Sequence, residues 1–161
     1  MANTAKKETY YSMVRATKLL PAVMIGGLGM MTSVLLILRM DEAPITPLGD
    51  FVVIGVALLA AVLTVLSSFL FRKQIGETVG KNLAEKLVIY RTAITVRFAL
   101  MEGPGLLAAV LYFISGNYLF LVITGAMFLF MLLSRPTEEL IAKQLMLTEA
   151  DKQAIEQSKP L

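Results

Sequence analysis

The chain has 161 residues, of which 57% are hydrophobic and only 17% charged, against about 25% charged in ordinary soluble domains. A soluble fold of this length cannot hide so much apolar surface, so the mean hydropathy of +0.72 points to an all-α polytopic membrane protein. The formal net charge of +3 comes from basic residues that flank apolar runs instead of forming a patch, which argues against nucleic acid and for the lipid bilayer as partner.

Residues 1–18 read as a cytoplasmic arm carrying Lys6, Lys7, Arg15 and Lys18. The first apolar run, residues 19–38, is longer than a signal-peptide core and no small-residue cleavage site follows it, so it is expected to span the membrane. Pro21 falls in the first turn of that span, where a missing N–H is tolerated. The loop at 39–50 has a single basic residue, Arg39, beside Asp41, Glu42 and Asp50. Span two covers residues 51–71 and carries small residues at helical spacing: Ala57, Ala60, Ala61, Thr64, Ser67 and Ser68. Such residues let helices approach closely in lipid. Gly26, Gly27 and Gly29 offer the same in span one.

The segment at 72–91 is basic, with Arg72, Lys73, Lys81, Lys86 and Arg91. Its stretch at 76–90 has an apolar side containing Leu83 and Leu87 and is expected to be helical, running on into span three at 93–115. The turn Ser115-Gly116-Asn117 makes spans three and four an antiparallel hairpin. Span four covers residues 118–134. At 1.5 Å per residue the spans are ~25–35 Å long, which suits a ~30 Å hydrocarbon core. The tail, 135–161, places Pro136 near a helix start and Leu140, Ile141 and Leu145 on one stripe. Thr148-Glu149-Ala150-Asp151 has the form of a capping box opening a last short helix. These tail helices are expected on the membrane surface or docked on the middle loop. The basic counts place both termini and the middle loop on the cytoplasmic side, as in a bacterial inner membrane.

A weak internal repeat runs at a shift of 76 residues. It aligns Arg15, Gly27, Gly29, Val34 and Leu35 with Arg91, Gly103, Gly105, Val110 and Leu111, and sets Glu102 opposite Gly26. Parallel repeats of this kind occur in membrane transport proteins.

The chemistry converges on span three. Glu102 is the only carboxylate well inside an apolar run. A charge in hydrocarbon costs roughly 2.5–3.5 kcal/mol on insertion scales, which makes it a functional-site candidate. An apolar surrounding favours the neutral carboxyl, a group that can load and release a proton. Pro104 cannot bond the carbonyl of Leu100, so Gly103, Pro104 and Gly105 are expected to loosen the turn beside Glu102. Arg97 lies five residues earlier and is the candidate partner, directly or across helices; the two would then form a structural tie. There is no His and no Cys, which removes the commonest general base, metal ligands and thiol nucleophile. Neither enzymatic activity, nor a cofactor, nor a metal site is expected.

The string from Arg91-Thr92 through Arg97 to Glu102-Gly103-Pro104-Gly105 resembles the carboxylate helix of the rotor-ring c subunits (proteolipids) of rotary ATP synthases. The resemblance covers residues 51–115. It implies that Glu102 carries the ion, and Gly103, standing where sodium-binding forms have a hydroxyl residue, implies H⁺. Span two has one glycine, Gly55, where that family's inner helix is glycine-rich. The overall layout is also similar to uncharacterised four-helix inner-membrane proteins of bacteria, which carry no activity to transfer. Two functions follow as expectations. The first is an accessory or scaffold subunit packing with itself or with a larger membrane complex. The second is proton or cation handling through Glu102.

Overall fold

The computed structural model describes residues 2–39 and 48–157, with side chains from residue 10 onward in the first helix. The acidic residues Asp41 and Glu42, and the side chains of Lys6 and Lys7, lie outside the described residues. All regular structure within the described residues is helical: α1 (Ala2–Arg39), α2 (Asp50–Gly76), α3 (Leu83–Ser115), α4 (Tyr118–Leu133), α5 (Glu138–Gln144) and α6 (Glu149–Glu156).

Three helices, α1, α2 and α3, are long and apolar enough to cross a membrane. The fourth expected span is shorter than the rest: α4 has 16 residues, about 24 Å at the usual rise. It reaches spanning length only together with α5, across a bend of 76°. Large apolar side chains cover the outer faces, among them Val23, Met30, Ile37, Leu58, Val65, Phe69, Val122 and Leu133, each more than half exposed. Water would not tolerate such a continuous belt, whereas lipid is its natural solvent. The chain is a multi-pass membrane protein.

Helix ends follow local sequence. The Asn82 side chain accepts from the Glu85 N–H at the start of α3, and Asn117 accepts from the Leu119 N–H at the start of α4. Thr148 and Asp151 exchange hydrogen bonds in the capping box read from the sequence. Inside the helices, the hydroxyls of Thr17, Thr32, Ser33, Thr64, Thr95 and Ser115 donate to carbonyls one turn earlier. This satisfies them without water.

α3 is the hub. It packs against α1, α2 and α4, while α1 and α2 barely meet. α1 and α3 run parallel: Gly27 lies beside Glu102, Leu28 beside Gly105, and Arg39 beside Phe113. These neighbours are 75, 77 and 74 residues apart, close to the shift of 76 at which the two helices align in sequence. The two halves are not equivalent, however, because α3 and α4 pack as a hairpin and α1 and α2 do not. Of the small residues in α2, Ala60 and Ser67 are buried and Thr64 half-buried, while Ala57 and Ala61 face outward. Residues 60, 64 and 67 share one face at helical spacing; 57 lies at the edge of that face and 61 beyond it.

The helix α1 is continuous from Ala2 through the expected arm and span one, and Pro21 lies in its interior. The arm is held there by packing, not by composition: Tyr10, Met13 and Val14 join one core with Ile141, Leu145, Leu147 and Ile155 of the tail. The tail helices accordingly dock on α1 and on the first turns of α3, where Leu87 and Tyr90 belong to the middle segment at 72–91. Tyr90 of α3, fully buried, donates to Gln144 Oε1 at 2.8 Å. Lys18 of α1 pairs with Glu138 at 2.5 Å.

Candidate functional site

Glu102 stands on the α1–α3 seam. A Cβ built on Gly27 would lie 3.7 Å from its Oε1, so the absence of a side chain on α1 makes room for the carboxyl. The carboxylate is half-buried, and its surroundings are open on one side: Gly26, Gly27 and Gly103 are all exposed. Among the described residues Glu102 has no hydrogen-bond or ion-pair partner. Among the described residues nothing therefore offsets the charge of this carboxyl, and an uncompensated carboxylate in apolar surroundings is costly.

The structure does not bring Arg97 to Glu102. Five residues on an α-helix turn a side chain by about 140° and shift it about 7.5 Å, which puts the two on different faces of α3. Glu102 looks toward α1. Arg97 looks toward α2 and α4, where its guanidinium lies 5.1 Å from the centroid of the Phe71 ring. Its Nη2 also donates to Ser134 Oγ at 3.3 Å. Phe71 is held in turn by Tyr90, with ring centroids 5.8 Å apart in an edge-to-face arrangement. Arg97 is thus committed to a different cluster, at the level where α2 and α4 end.

The Gly-Pro-Gly segment does not break the helix. α3 is continuous through Gly103, Pro104 and Gly105, with Pro104 buried inside. The two glycines do different work. Gly103 lies at the open surface beside Glu102, and a Cβ there would meet nothing within 4 Å. Gly105 is the crossing point of three helices: a Cβ there would lie 3.1 Å from Leu28 Cδ2 and 3.3 Å from Met127 Cβ. The Thr124 hydroxyl bridges the same point, donating to Gly105 O at 3.2 Å and sharing with Phe120 O at 3.0 Å. Gly105 therefore fixes the depth at which α1, α3 and α4 cross, and thereby the seam on which Glu102 sits.

Sequence reasoning missed one functional-looking side chain. Arg39, counted only as a loop charge, is 6% exposed. Its Nη1 donates to the Phe113 carbonyl in the last turn of α3. α3 has no basic residue of its own in that turn and ends in a left-handed Gly116, φ +68°. A helix C-terminus with free carbonyls and no cation invites one from elsewhere. Those two sequence features were the available signal.

Among the described residues no cluster of three or more Asp, Glu, His or Cys side chains is placed to hold a metal ion. No protein-family model, curated protein or solved structure matches the chain.

Proposed function

We propose that this is a small inner-membrane protein whose working group is Glu102, a carboxyl that binds and releases a proton, or in its place a small cation, on the α1–α3 seam. The observation that supports it most is the isolation of that carboxyl: it faces Gly27, opens toward lipid beside Gly26 and Gly103, and leaves Arg97 to Phe71 and Ser134. A structural ion pair would need the opposite arrangement. The resemblance to rotor proteolipids points to the same residue. On this reading both termini lie in the cytoplasm, because the arm, the α2–α3 connection and the tail carry most of the basic residues.

The test is labelling with a hydrophobic carbodiimide, which reacts with protonated carboxyls in the membrane. Modification located at Glu102 and rising as the pH falls is expected, with none in Glu102→Gln. Absence of any label on a folded wild-type protein across that pH range would sink the proposal.

A second reading, an accessory or scaffold subunit, has its own observation. A shallow groove between α1 and α4 is lined by Gly29, Thr32, Ser33, Leu121, Gly125 and Phe128. Small and hydroxyl residues of this kind suit close contact with another membrane helix. If the purified protein stays strictly monomeric in detergent and co-purifies with nothing, this second reading is dropped.

A further inference from the structure

Three helices meet at one level around Arg97. Phe71, beneath the guanidinium, is followed on α2 by Arg72 and Lys73. Ser134, its hydrogen-bond partner, closes α4 and is followed by Arg135. Arginines at a membrane boundary usually snorkel freely, but Arg97 is pinned between a ring and a hydroxyl. Among the described residues no carboxylate forms an ion pair with Arg97 or Arg72. Arg97 Nε is enclosed without a hydrogen-bond partner. The charges that act on Arg97 electrostatically include a like charge, Arg72. A half-buried guanidinium with a like charge acting on it and no carboxylate paired to it is unfavourable unless an anion completes the arrangement.

We propose that Arg97, Arg72 and Ser134 form a binding site for a phosphate group at the membrane face where α2 and α4 end. The guanidinium fork matches phosphate oxygens bidentately, which a lysine ammonium does not. Ser134 Oγ accepts from Arg97 Nη2, which leaves its own O–H to donate to the same anion. Arg72 is exposed and follows Phe71, the ring under Arg97, on α2, so it is the second cation available to the anion. Basic pockets between helices at this depth recognise acidic phospholipid headgroups; free phosphate has the same chemistry and is the other source.

Native mass spectrometry of protein released from vesicles of equal parts phosphatidylglycerol and phosphatidylcholine tests the site. The wild type is expected to retain the acidic lipid over the zwitterionic one by about tenfold, the effect of roughly one charge-assisted hydrogen bond. Arg97→Gln and Arg72→Gln should each lower that preference, and Arg97→Lys should lower it despite keeping the charge. In a parallel arm, inorganic phosphate is added to the lipid-free protein in detergent. Protection of the wild type but not of Arg97→Gln against denaturing detergent, with no lipid preference, assigns the site to free phosphate. Equal retention of both lipids by every variant, with no effect of phosphate, overturns the proposal. Should Arg97→Gln fail to fold, Arg72→Gln decides: an unchanged lipid preference in that exposed variant overturns it too.

Discussion

Gly116→Ala perturbs the C-terminal end of α3 in two separable ways. Gly116 has φ +68°, where an L side chain costs roughly 1–2 kcal/mol. Its new Cβ would also lie 2.5 Å from Arg39 Nη2 and 3.4 Å from Arg39 Cζ. The guanidinium is the flexible end of a side chain, so it moves; moving breaks its bond to the Phe113 carbonyl. A hydrogen bond from a charged donor is worth about 1.5–3 kcal/mol. The total expected loss is about 2.5–5 kcal/mol. Unfolding of the purified protein in mixed micelles, driven by dodecyl sulfate and followed by helical circular dichroism, measures it. Arg39→Gln alone should cost only the hydrogen-bond part, about 1.5–3 kcal/mol. In the Arg39→Gln background Gly116→Ala should cost only the backbone part, about 1–2 kcal/mol. The shortfall is the coupling energy of the double-mutant cycle. If Gly116→Ala costs the same with and without Arg39, the two residues are uncoupled and the capping argument is refuted.

Three further outcomes are expected. Gly105→Ala should destabilise the α1–α3–α4 crossing by about 1–3 kcal/mol in the same unfolding assay, since Leu28 and the Cβ of Met127 must give way; Gly103→Ala, with open space around it, should not. Tyr90→Phe removes the bond to Gln144 at a cost of about 0.5–1.5 kcal/mol, and should speed proteolysis of the tail from residue 135 onward. The Lys18–Glu138 pair joins two exposed side chains, so Lys18→Ala should cost less than about 1 kcal/mol and the loss should vanish at high salt.

How much could be read beforehand differs by feature. The apolar runs announced their helices because length and hydropathy suffice for that, and the turn at Ser115-Gly116-Asn117 and the capping box at Thr148 are local chemistry. The extent of α1 was hidden, because residues 2–18 are polar enough to look like an arm. Only Val14 and its neighbours meeting Ile141 and Leu145 reveal why they stay helical. The prominence of Glu102 was legible from its cost in lipid. Its relation to Arg97 was left open between a tie and a lone carboxyl, and the helical angle between positions 97 and 102 separates the two. What lies opposite each, Gly27 for one and Phe71 for the other, depends on which helices flank α3. The twist of a single helix does not state its neighbours. Arg39 was the least legible, because its partner is 74 residues away.

The claim that Glu102 is a lone, protonatable carboxyl is tested most directly by infrared difference spectroscopy of the wild type against Glu102→Gln in lipid, recorded as the pH is lowered. A carboxylic-acid carbonyl band that belongs to Glu102, reverses with pH, and sits at the high-frequency end expected of a carbonyl without a hydrogen-bond donor is the predicted result. The absence of any such band at every pH would mean a carboxylate held permanently ionised by a cation, and would contradict the account.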